Sequence, residues 1–137
     1  MNKPLLIPLH CGISVAHMQE SIEWYENMLG FTLLWRKDIE ALNCEIAFLK
    51  MGDFEIELFR HHETLPLPAE RRDPDKDIQT QGIKHVAYEV ENIAVLLKDL
   101  RGKGVDVVFG PMPMEGTVMG FIRDNTGNLI ELIQRNL

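Results

Sequence analysis

The stretch Gly82-Ile83-Lys84-His85-Val86-Ala87-Tyr88-Glu89-Val90 repeats the essentials of one near the start of the chain, Leu9-His10-Cys11-Gly12-Ile13-Ser14-Val15. In both, a histidine stands five residues before a valine. A helical pattern follows each copy, and then a glycine enters a new apolar run, Gly30-Phe31 in the first half and Gly104-Val105 in the second. Each half closes on Ile-Glu-Leu, as Ile56-Glu57-Leu58 and Ile130-Glu131-Leu132. His10 and Glu57 lie 47 positions apart, and His85 and Glu131 lie 46 apart. A repeat of this length constrains the fold more than any single motif, because each copy must build the same supersecondary unit.

Residues 5–15 are a strand-like run whose alternation begins at His10. Glu20-Ser21 opens a helix with Ile22, Tyr25, Met28 and Leu29 at helical spacing, and Gly30 is its stop. Strands follow at Phe31–Trp35, Glu45–Lys50 and Phe54–Phe59, the last two separated by the turn Gly52-Asp53. His61 to Gln81 reads as a long irregular linker rich in proline and charge. The second half repeats the scheme: a strand over Gly82–Val90, a helix over Ile93–Lys103 and a strand over Val105–Phe109. A Gly/Pro/Met loop (Gly110–Gly116), a strand over Thr117–Arg123, the turn Asp124–Asn128 and a strand over Leu129–Gln134 complete it. The expected architecture is α+β: two tandem βαβββ modules forming curved mixed sheets around a metal-binding cavity. This is one domain over 1–137, with module 1 at about 5–60, a linker at 61–81 and module 2 at about 82–135. A doubly wound sheet is excluded, since successive strands lack the intervening helices it needs.

At 137 residues, with 45% hydrophobic and 26% charged residues, the chain has the balance of a globular domain. No apolar run approaches the roughly 20 residues of a membrane span. The opening Met1-Asn2-Lys3-Pro4 shows no signal-peptide anatomy. A net charge of −7 with scattered basic residues argues against a nucleic-acid partner. Cys11 and Cys44 stand in apolar stretches without metal-like or disulfide-like spacing, which indicates a reduced, cytoplasmic compartment.

Strand parity brings the chemistry into view. If Ile56, Leu58, Ile130 and Leu132 face the helices, Glu57 and Glu131 face the other way. The same parity turns Cys11, Ile13, Val15, Val86, Tyr88 and Val90 to the helices and His10 and His85 to the open side. Two imidazoles and two carboxylates, one of each per repeat, are therefore expected to converge on the cavity. A carboxylate removed from water needs a partner. A divalent cation on two imidazoles and two carboxylates provides one, and nitrogen and oxygen donors suit Zn, Ni, Co, Mn or Fe. Glu55 shares the face of Glu57 and is its rival, but only Glu57 matches Glu131 within the repeat. A single strand histidine or glutamate is more often structural than functional; the repetition in register is what raises the case. Glu89 reads as a rim residue, His17 as part of the turn before the first helix, and His61 and His62 as solvated. Trp24, Trp35 and Met28 read as packing residues, and Met112 and Met114 as lining for an adaptable pocket or as loop packing.

The first-strand motif, Ser21-Ile22-Glu23-Trp24-Tyr25 with Leu29-Gly30-Phe31, and the closing Asp124-Asn125-Thr126-Gly127-Asn128-Leu129-Ile130-Glu131-Leu132 resemble the vicinal-oxygen-chelate superfamily. That group includes glyoxalase I, methylmalonyl-CoA epimerase, fosfomycin-resistance proteins, bleomycin-binding proteins and extradiol dioxygenases. The resemblance implies paired βαβββ modules, one divalent metal ion per site on four strands, and a homodimer. Carried over by position, the ligand set is His10, Glu57, His85 and Glu131, the pattern of bacterial-type glyoxalase I (lactoylglutathione lyase). Epimerases usually place a glutamine where Glu57 stands, dioxygenases and fosfomycin enzymes use three ligands, and bleomycin binders generally lack the set. The resemblance implies a small-molecule substrate, an α-hydroxycarbonyl or thiol hemithioacetal, isomerised through an enediolate with Glu131 or Glu57 as the proton shuttle. Bacterial glyoxalases tend to carry an arginine for the glutathione carboxylate where this chain has Ser14, so another thiol adduct is an open substrate. The alternatives are an epimerase acting on a CoA thioester and a metal-free binding or resistance protein of the same fold.

Overall fold

A computed structural model describes residues 5–135; the opening Met1-Asn2-Lys3-Pro4 lies outside the described residues. The chain divides into two compact units, Met1–Thr64 and Leu65–Leu137. Each holds one four-stranded mixed sheet with helices, so the α+β fold of two tandem βαβββ modules is the observed one.

The first unit runs β1 (His10–Ser14), α1 (Met18–Trp24), β2 (Thr32–Ile39), β3 (Cys44–Met51) and β4 (Phe54–His61), in the sheet order β1-β4-β3-β2. Helix α1 continues as a π-helical turn over Tyr25–Leu29 and stops at Gly30, whose φ of 88° only glycine adopts without strain. Met18, Ile22 and Tyr25 bury against Ala47, Leu49, Ile56 and Leu58 of the sheet, the apolar stripe meeting the apolar strand parity.

The second unit runs α2 (Pro74–Asp77), β5 (Val86–Glu89), α3 (Ile93–Gly102), β6 (Asp106–Met114), β7 (Thr117–Arg123) and β8 (Leu129–Arg135). Its sheet order, β5-β8-β7-β6, repeats the first. In each sheet the first strand lies parallel to the last and the other neighbours are antiparallel. Asn92 caps α3 by accepting the Val95 amide at 3.1 Å, and Ile93, Leu97 and Leu100 bury on the helix side with Ile122, Ile130 and Leu132. No helix among the described residues is long and apolar enough to cross a membrane.

Several boundaries differ from the sequence reading, among them the end of β2, which runs to Ile39 rather than Trp35, and four others. Residues 5–9 precede β1 and are exposed, because pairing with β4 begins at His10↔Glu55 and the residues before Phe54 form a turn. Strand β5 begins at Val86 rather than Gly82, since its ladder with β8 opens at Val86↔Ile130 and the chain before Leu129 is again a turn. The expected loop at Gly110–Gly116 is largely strand, for β6 continues to Met114. Pro111 and Pro113 are tolerated there because β6 is an edge strand and is irregular between Phe109 and Met112. The linker is also not irregular throughout: a 3₁₀ turn at Ala69–Arg72 leads into α2, which Asp73 caps by accepting the Asp75 amide at 3.0 Å.

Candidate functional site

In each sheet the face opposite the helices carries the same row of residues. In the first unit, Trp35, Phe48, Glu57 and Gly12 are paired across β2, β3, β4 and β1. The second unit has Phe109, Phe121, Glu131 and Ala87 across β6, β7, β8 and β5. The histidine stands two residues before the small end member, at His10 and at His85. The imidazole reaches the carboxylate along the diagonal, and a β-carbon at Gly12 would meet the Phe59 ring at 3.1 Å. His10 Nε2 lies 3.2 Å from Glu57 Oε1, and His85 Nε2 lies 3.8 Å from Glu131 Oε1. Both glutamates retain 17% side-chain exposure, sheltered but open to a small ligand.

The aromatic member of each row fixes the imidazole plane. His10 meets Phe48 edge-to-face at 5.1 Å and 88°, and His85 meets Phe121 at 5.0 Å and 89°. Trp35 and Phe109 stand behind them, at 5.0 Å from Phe48 and 5.4 Å from Phe121. The sequence reading missed Phe48 and Phe121. The signal was there: they precede Glu57 and Glu131 by nine and ten positions, in step with the repeat.

His10 turns to Glu57 rather than to Glu55, although Glu55 stands directly across the ladder from it. Glu89 makes a bidentate pair with Arg135 at 2.7 and 2.8 Å, and this hydrogen bonding holds its carboxyl below the usual range. His62 pairs with Asp38 at 2.9 Å on the surface, His61 bonds locally to Glu63, and His17 precedes α1 without capping it. Both cysteines are free thiols, and burial raises the pKa of each, which keeps them poor nucleophiles. Trp35 is half exposed on the open face rather than buried in the core.

The donors, imidazole nitrogen beside carboxylate oxygen, suit a borderline divalent cation, and each unit supplies one such pair. No group of three or more His, Cys, Asp or Glu side chains placed to hold a metal occurs among the described residues.

The family model described as the glyoxalase/bleomycin resistance protein/dioxygenase superfamily matches residues 7–132. The chain belongs to that superfamily. A lactoylglutathione lyase of Neisseria meningitidis is 32% identical over 133 residues, covering 93% of the chain and 89% of the relative. Lactoylglutathione lyase GLX1 of Arabidopsis thaliana is 31% identical over 133 residues, but there the chain spans only 44% of the relative's length. Among solved superfamily structures, a glyoxalase family protein from Enterococcus faecalis superposes with a TM-score of 0.79 at 24% identity. That match covers 94% of the chain and 98% of the neighbour, and it bears on the fold.

Proposed function

We propose that this protein is a metal-dependent isomerase or lyase of the glyoxalase I type, acting on an α-hydroxycarbonyl or thiol hemithioacetal. The observation that carries the reading is the duplicated row in which a half-sheltered glutamate lies beside an aromatic-braced imidazole. Relatives named lactoylglutathione lyase support it. His10, Glu57, His85 and Glu131 are the residues that would hold the divalent ion, one His–Glu pair from each unit. When bound, such a cation supplies Lewis-acid stabilisation of the negative charge that develops on adjacent substrate oxygens.

The chain's own residues do the rest. Glu57 or Glu131 removes the proton from the carbon beside the carbonyl, leaving an enediolate, and returns it to the neighbouring carbon, first as base and then as acid. Phe48 and Phe121 hold the imidazole planes while the carboxylates move. Ser14, on the same face of β1 as His10, offers a hydroxyl and no charge, which favours a thiol adduct without a carboxylate at that end. The same reading carries a homodimer, and two free thiols fit a cytoplasmic setting.

The test is metal content per chain in protein purified without chelator and then titrated with Ni, Zn, Co and Mn. About one ion per chain is expected by the ligand count, lost in both His10→Ala and Glu131→Gln. Turnover of methylglyoxal–thiol adducts should vanish in Glu57→Gln and Glu131→Gln. Saturable ligand binding with no ion under any condition would overturn the reading in favour of a metal-free binding protein.

A further inference from the structure

The two histidines are held by different means. His10 is a member of β1, and its backbone is fixed by pairing with Glu55. His85 stands just outside β5, whose ladder begins one residue later, so the ladder does not fix its backbone. What precedes it is a cluster of charges. Asp77, at the end of α2, is 1% exposed. Arg71 Nε approaches its Oδ1 at 2.7 Å and Lys84 Nζ at 3.1 Å. Arg71 also donates through Nη2 to the carbonyl of Ile83 at 2.8 Å. Lys84 Nζ donates to the carbonyl of Asp77 at 2.6 Å and to that of Thr80, closing the end of α2. The two residues before His85 are thus tied to one buried carboxylate, Ile83 through its carbonyl and Lys84 through its side chain.

The same segment reaches the turn that launches Glu131. Arg123 Nε donates to the carbonyl of Arg72 at 2.9 Å, and the Arg72 guanidinium lies across Gly127, with Nε 3.2 Å from where a β-carbon would stand. An ion pair to a buried carboxylate is a poor source of stability, since desolvation of the carboxylate offsets the attraction, while Arg71 and Lys84 stay partly exposed at 36% and 19%. Asp77 Oδ2 and Arg71 Nε are both buried and make no hydrogen bond, so the 2.7 Å approach of Arg71 is an ion pair without an aligned hydrogen bond, which adds to that cost. A cluster of that cost, beside a histidine whose backbone lies outside the ladder, has position as its product.

We propose that Asp77 is a positioning residue for His85, acting through Arg71 and Lys84. In its consequence for metal binding the inference rests on the functional reading above; in its geometry it does not. The test compares wild type with Asp77→Asn and with the apolar pair Asp77→Leu/Lys84→Met, which removes the ionic tie without leaving a buried carboxylate unpaired. In metal-free protein at fixed pH, the ring resonances of His85 should shift while those of His10 stay in place. Ni(II) affinity by chelator competition should fall on the order of 10-fold or more, as for other residues that orient a ligand, and the Co(II) visible bands should change.

Ring resonances of His85 at wild-type positions in a folded variant would overturn the proposal. So would shifts of His10 and His85 together, which would mark general loosening. If wild type binds no ion, the metal reading falls and the ring comparison still decides this one. If Asp77→Asn does not fold, Lys84→Met, which leaves Asp77 paired with Arg71, is read the same way.

Discussion

Removing the Asp124 carboxylate should markedly destabilise the second unit. Asp124 is 4% exposed, and its Oδ1 accepts the amides of Thr126, Gly127 and Asn128, each at 2.9 Å. Its Oδ2 accepts the side-chain amide of Asn128 at 3.0 Å. A hydrogen bond to an ionised acceptor contributes about 1.5–3 kcal/mol when its loss leaves a buried donor. The Gly127 amide is the buried one, but it also donates to the Asp124 carbonyl at 3.0 Å and so keeps a partner, while those of Thr126 and Asn128 are part-buried and can partly turn to water. Counting each of the three at half strength predicts that Asp124→Ala loses about 2–4.5 kcal/mol. That is a large part of the roughly 5–15 kcal/mol that holds a domain together. Asp124→Asn keeps an acceptor oxygen and should lose about 1–2 kcal/mol. Urea unfolding followed by far-UV circular dichroism is the assay, with a midpoint expected to fall by roughly 1–3 M in the alanine variant. Amide exchange at Gly127 should accelerate in parallel. A loss below about 1 kcal/mol for Asp124→Ala, or equal losses for Ala and Asn, would refute the reasoning.

Two further outcomes follow from single contacts. A β-carbon at Gly120 would lie 3.0 Å from the Phe109 carbonyl oxygen and 3.1 Å from Leu97 Cδ1. Backbone on one side and core on the other leave it nowhere to go, so Gly120→Ala should lose about 1–3 kcal/mol by calorimetry; an unchanged transition would sink the account. Glu89 has its carboxyl lowered by hydrogen bonds from Arg135, so the pair's contribution is complete above the ordinary glutamate pKa and is lost as pH falls through the lowered one. Both side chains are 53% exposed and salt screens them. The carbon-13 titration midpoint of Glu89 should therefore lie below the ordinary value and rise in Arg135→Met; a midpoint indifferent to that change would contradict the pairing.

Parity carried most of what could be read from the sequence. Ile56, Leu58, Ile130 and Leu132 are all buried on the helix side, and that alone places Glu57 and Glu131 on the other face. Local periodicity was blind to what lies across a sheet. Phe48 and Phe121 meet the histidines only through register between strands distant in sequence. The proline-bearing half of β6 looked like a loop because proline breaks a ladder, and only the knowledge that β6 is an edge strand reverses that inference. Asp77 was hidden for a different reason. Its charge suggests solvent, and its burial depends on Arg71 and Lys84 arriving from either side.

The edge strands β2 and β6 have a consequence for how copies of this protein behave when crowded. An unpaired edge strand offers its amides to any other strand, which is how sheets grow into aggregates. On β6, Pro111 and Pro113 have no amide to offer, and the strand is irregular where they begin. On β2, the ladder slips between Leu33 and Trp35, and the charges of Arg36, Lys37 and Asp38 follow. The repeat that doubles the fold also doubles its exposure to sticky ends. The two copies answer that hazard separately, one with proline and the other with a bulge and charge.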